Sequence, residues 1–150
     1  MKSLFKAAVA VALLTVTAVP GFAADAKAHR VAIQVDQNDP AVMNLALNNA
    51  ANIIEYYKAK NEDVQVEVVT FGPGLHMLRA DSSPVKDRIK QIAEGAFPSS
   101  ISFAACENTK TGMEKREGHA VNLIPQASAV PSGAVRLMEL QGDGWAYLRP

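Results

Sequence analysis

From Arg30 to Leu148 the apolar residues recur with two alternating periods, about two and about 3.6 residues, and this alternation limits the folds open to the chain. "RVAIQV" (Arg30–Val35) reads as a first strand, followed by the polar turn "DQNDP". Asp39 before Pro40 is a helix start, a capping side chain with proline at the first helical position. Met43, Leu47, Ala50, Ile54 and Tyr57 then form one apolar face, which predicts a helix to about Lys60. "VQVEVVTF" (Val64–Phe71), rich in β-branched residues, reads as a second strand. "GPGLHML" is the loop after it, with one helical turn.

Ser83-Pro84 opens a second helix carrying Val85, Ile89 and Ile92, with Gly95 past its end. "SISFAA" (Ser100–Ala105) is a third strand. Asn108 or Thr109 is the expected cap of a short third helix that ends by Gly118. "ASAV" (Ala127–Val130) is a fourth strand. Ser132 caps a fourth helix bearing Val135, Met138 and Leu140. Gly142 and Gly144 end that helix, and "WAYL" (Trp145–Leu148) is a fifth strand. The order βαβαβαβαβ predicts an α/β single domain, a mainly parallel five-stranded sheet with helices on both faces and right-handed crossovers. It leaves the strand order open.

The first residues read differently. Lys2 and Lys6 precede an uncharged run of 13 residues, Ala7 to Val19, broken by Pro20 and Gly21 and followed by "GFAADAKA". A bilayer span needs about 20 residues, so this is read as a secretory signal peptide over residues 1–24, with the folded domain over 25–150. Cleavage after Ala23 and cleavage after Ala26 both fit the small-residue pattern. A periplasmic protein with no membrane attachment after cleavage is expected. Loss of Lys2 and Lys6 leaves 13 basic residues against 15 acidic, a net charge of −2. With no basic stripe, nucleic acid is not an expected partner.

Ligands of open parallel sheets bind outside the carboxyl ends of the strands. The loops "DQNDP", "GPGLH", "CENT" and "PSG" should therefore gather on one edge. That places Asn38, Gly72, Gly74, His76, Cys106, Asn108, Thr109 and Ser132 on the candidate site edge. His29 and His119 fall on the opposite edge. No HxH, HExxH or CxxC spacing occurs, so no metal site is expected. There is no GxSxG elbow and no P-loop either, and nothing points to a cofactor. Gly72 and Gly74 either relieve strain in a tight turn or turn backbone N–H groups toward a ligand.

Cys106 is the only cysteine, so no internal disulfide can form. It follows an apolar strand and precedes a helix start, whose free N–H groups and positive partial charge favour a thiolate. Glu107 opposes that. A small buried hydrophobe at a strand end and a reactive, partly accessible thiol both fit these residues.

"VVTFGPGLHML", "AACENT" and "VPSGAVRLMELQGDGWAYLRP", in that order, resemble the periplasmic branch of the DsrE/DsrF-like family, over nearly all of the chain after the leader. Trp145 and Leu148 depart from the family's Gly-Tyr-Ala-Tyr-Ile-Arg-Pro-like ending. The resemblance implies a three-layer α/β/α fold and homo-oligomers, trimers or hexamers. Intracellular relatives carry sulfur as a persulfide on a cysteine after the third strand, where Cys106 stands. Their motif continues with an Arg-Gly pair, in place of which this chain has Lys110 and Gly112. The resemblance thus implies an exported protein that accepts or carries sulfur on Cys106, sulfurtransferase-like if active, exchanging with a donor or acceptor protein. The alternative is a non-catalytic oligomeric binding module holding a small molecule or a partner peptide.

Overall fold

The computed structural model describes residues 29–150. The expected leader lies outside the described residues. Five strands, β1 (His29–Val35), β2 (Val64–Thr70), β3 (Ser100–Cys106), β4 (Ala127–Val130) and β5 (Ala146–Leu148), form one sheet in the order β4-β3-β2-β1-β5. Every pairing is parallel. The α-helices are α1 (Pro40–Lys58), α2 (Lys86–Gly95), α3 (Glu107–Glu117) and α4 (Gly133–Gly142), and a 3-10 helix spans Gly72–Leu78.

The strand order accounts for the layers. From β1 to β4 the chain steps in one direction across the sheet, so right-handed crossovers put α1, α2 and α3 on the same face. It then returns past β1 to the other edge, so α4 must lie on the opposite face. The two cores follow this division. Val31, Ile33, Val35, Val66, Val68, Phe103 and Ala105 pack with Met43 and Leu47 of α1, Ile89 of α2 and Met113 of α3. Residues of the other parity, Ala32, Val69 and Ala104, pack with Leu137 and Leu140 of α4. The result is a three-layer α/β/α domain with one thick layer and one thin one.

Local signals worked as their chemistry predicts at α1. Asp39 Oδ1 accepts from the Ala41 N–H at 2.7 Å, and Pro40 is the first helical residue. Gly118 closes α3 at φ +74°, a left-handed conformation that favours glycine. Two starts differ from expectation. The Ser83 hydroxyl donates to the Met77 carbonyl at 2.6 Å and accepts from the Val85 N–H at 3.3 Å. It closes a turn there, and α2 begins only at Lys86. The N-cap of α3 is Cys106 itself, which leaves Asn108 and Thr109 inside the first turn.

Candidate functional site

β3 hands the chain to α3 on one face, and β4 hands it to α4 on the other. Adjacent strands whose exits part in this way leave a crevice at their carboxyl ends, the usual ligand position in open α/β sheets. Cys106 is the last residue of β3 and stands opposite Val130 in register. It shares the strand parity of Ala104, so its side chain belongs to the face that α4 covers. The first turns of α3 and α4 meet there. The Asn108 N–H donates to the Pro131 carbonyl at 3.4 Å, joining the two loops.

Gly133 begins α4 at a point of close approach. A Cβ at this position would lie 2.9 Å from the Phe71 side chain, so only glycine lets the helix start settle against the end of β2. Thr109 links the thiol to the neighbouring loop. Its Oγ1 accepts from the Gly72 N–H at 2.9 Å, which leaves the hydroxyl proton free to turn toward sulfur. Gly72 itself has φ +52°.

Of the two settings that fit the sequence, a buried side chain and a partly accessible thiol, Cys106 has the first, at 5 % exposed. Its side chain makes no capping hydrogen bond of regular geometry. Burial pushes the thiol up. The Thr109 hydroxyl and the N–H groups of Gly133, Thr109 and Asn108 act in the opposite sense and together prevail, holding the thiol below its ordinary range. Glu107, the neighbour expected to oppose ionisation, is paired with Lys110 at 3.4 Å, and Lys110 also meets Glu114 at 3.0 Å. A sulfur anion at this position faces N–H dipoles from two helix starts.

The structure brings Cys106, Thr109, Asn108 and Gly72 together and sets Ser132 beside them, capping α4 by accepting from the Val135 N–H at 3.4 Å. Gly74 serves the backbone instead, because a Cβ there would stand 2.1 Å from the Val35 carbonyl oxygen. His76 lies within electrostatic reach of Glu117, toward the far end of α3 from Cys106. Asn38 is exposed in the β1–α1 turn, on the same edge but two strands from β3. His29 pairs with Glu62 at 2.7 Å, and His119 lies 3.4 Å from Glu117. Among the described residues no three His, Cys, Asp or Glu side chains are grouped to hold a metal ion. No described helix is long and apolar enough to cross a membrane.

Three participants were missed in the sequence. Pro131 and Gly133 sit in the "PSG" loop, which the strand pattern places on the site edge with only Ser132 singled out; their own contacts follow from β4 lying beside β3. The third is Arg136 on α4, whose Nε and Nη2 donate to Glu67 on β2 at 2.7 and 2.8 Å. Glu67 is 6 % exposed in the middle of a valine-rich strand. A carboxylate in such a run signals a buried partner, though not which one.

No family model matches this chain, and no curated protein matches it. Among solved structures it is similar to a protein of unknown function, MTH1491, from Methanobacterium thermoautotrophicum. The two share 28% sequence identity and a TM-score of 0.66, over 81% of this chain and 99% of that one. The likeness supports the α/β/α fold.

Proposed function

We propose that this protein is an exported relative of the DsrE/DsrF-like proteins that accepts and carries sulfur as a persulfide on Cys106. It acts as a sulfur carrier or in a sulfurtransferase-like way, without a cofactor. The observation that carries this reading is the setting of the thiol. The single cysteine stands at the carboxyl end of β3 beside β4, held below the ordinary thiol range by N–H groups of two helix starts and by the Thr109 hydroxyl. The same dipoles suit a terminal persulfide anion, and the lone thiol has no resolving cysteine in the chain to form a disulfide with.

The transfer is a thiol exchange. The Cys106 thiolate attacks the sulfane sulfur of a donor persulfide or polysulfide. A new S–S bond forms at Cys106 as the donor's S–S bond breaks, and the donor leaves as a thiolate that takes up a proton from water. Transfer to an acceptor thiolate reverses these steps. At 5 % exposure the thiol favours a small donor, such as a polysulfide anion, over a protein side chain at the first step.

The test is intact mass. Protein purified without reductant and exposed to polysulfide should gain one sulfur, removable by reductant, and Cys106→Ser should gain none. Absence of added mass on the folded wild-type protein overturns the reading.

The burial of Cys106 favours a second reading, an oligomeric binding module in which the cysteine only packs. Under that reading native Cys106 resists both polysulfide and a small alkylating reagent. In both readings we expect a homo-oligomer, trimer or hexamer by resemblance, located in the periplasm.

A further inference from the structure

Among the described residues α4 is the only helix on its face of the sheet, where Leu137 and Leu140 pack on Ala32, Val69 and Ala104, with Phe71, Val130 and Trp145 partly buried against them. The first turn of α4 begins at Gly133, three residues after Val130, the register partner of Cys106, and the Gly133 N–H is among the groups that lower the thiol's pKa. One turn along, Arg136 reaches across to β2 and takes both carboxylate oxygens of Glu67, at 2.7 and 2.8 Å. A planar fork on a carboxylate fixes direction as well as distance. Glu67 lies between Val66 and Val68 in a central strand, where an apolar residue would pack without the desolvation that a buried carboxylate demands. Glu67 is buried and the Arg136 side chain 33 % exposed; pairs that take a carboxylate out of water are weak stabilisers, and matched apolar replacements are often as stable or more so. A positional role explains the pair better than a stabilising one.

We propose that the Glu67–Arg136 pair is the positioning device of the thiol site, setting the seat of α4 on the sheet so that its first turn meets Cys106. Neither residue touches sulfur; both act through the helix start. The functional meaning of the pair rests on the sulfur-carrier reading, whereas its effect on the thiol does not. Pro131 and Ser132 transmit the position, since the Arg136 N–H donates to the Ser132 carbonyl at 2.9 Å and the Pro131 carbonyl accepts from Asn108.

The test is the ultraviolet thiolate absorbance as a function of pH, with Cys106→Ser as the blank. With one cysteine in the chain, the difference signal belongs to Cys106 alone. The double variant Glu67→Met/Arg136→Met removes one charge of each sign. It leaves Glu107 and Lys110 on α3, Glu139 on α4 and His76 on the 3-10 helix untouched. It should unfold at or above the wild-type temperature, while its thiol titrates at higher pH. At a fixed pH below both midpoints the thiolate fraction should fall about fivefold, the weight of one hydrogen bond. Arg136→Lys keeps the charge without the fork and should fall between.

An unchanged titration in the folded double variant overturns the proposal. If the double variant does not fold, an unchanged midpoint in folded Arg136→Lys overturns it as well. A shifted midpoint in a protein whose wild type gains no sulfur upholds the positioning role and removes the carrier function, so the two failures are separable.

Discussion

Gly74 is held more tightly than any other glycine described. An added Cβ would stand 2.1 Å from the Val35 carbonyl oxygen and 2.8 Å from Asp36 Cα, both backbone atoms that cannot swing aside. Gly74→Ala should destabilise the protein by about 2 kcal/mol or more. Gly95→Ala meets nothing within 4 Å and should be neutral or slightly stabilising, by up to about 1 kcal/mol. Urea denaturation of the two variants checks the pair, and equal midpoints would contradict it. From the sequence, "GPG" announced a turn, but which glycine meets backbone depends on β1 lying beside β2.

Cys106 gives a second expectation at this scale. Its thiol is held below the ordinary range in the folded protein, so between the folded and unfolded values the unfolded chain binds the extra proton. Stability should therefore rise with pH through that window and level off above the ordinary thiol value. It is lost again as pH falls through the lowered value. The difference in unfolding free energy between wild type and Cys106→Ser, followed across that range, should show the rise. A flat difference would mean that the thiol is not acidified. The sequence placed Cys106 at a strand exit before a helix. Its burial came from the Pro131–Gly133 loop, 25 or more residues away in the chain.

At the scale of elements, one arginine ties the loop after the 3-10 helix to the end of α3. Arg79, 4 % exposed, donates to Asp81 from Nε and Nη2 at 3.0 and 2.7 Å. It reaches Glu117 from Nη1 and Nη2 at 2.6 and 2.8 Å. Its guanidinium holds Asp81 well below the usual carboxylate range and lowers Glu117 as well. The sign follows from linkage. This stability is fully present above the ordinary carboxylate values and is lost as pH falls through the lowered ones. Wild type should thus lose thermal stability in acid more steeply than Arg79→Leu, which lacks the pairing. Parallel acid profiles would refute the assignment. The elements themselves were legible because each carries its own periodicity and stop signals. The displaced start of α2 was not, because the Ser83 hydroxyl is bonded to the Met77 carbonyl, a contact outside the helix.

For the whole molecule, the alternating pattern made the parallel sheet and its two-sided cover readable. The order β4-β3-β2-β1-β5 was not readable, since parallel neighbours are chosen by packing and not by adjacent sequence. Among the described residues that order leaves one sheet face beneath a single helix, and α4 carries apolar residues on both sides. Leu137 and Leu140 face inward, while Val135 is 50 % and Met138 72 % exposed. Tyr147 on the neighbouring edge strand is 43 % exposed, and its hydroxyl donates to Gln34 Oε1 at 2.7 Å. A domain of this size has a limited core of its own, and apolar side chains on a lone covering helix suit a subunit contact. We expect a second copy of the chain to cover α4 and the Trp145–Pro150 end. Val135 and Met138 are exposed and belong to neither core cluster, so replacing them leaves the core intact. The variant Val135→Asp/Met138→Asp should keep the wild-type circular dichroism spectrum and sediment as a monomer at concentrations where wild type does not. A monomeric wild type at micromolar concentration would defeat the expectation, as would an assembly unchanged by both substitutions.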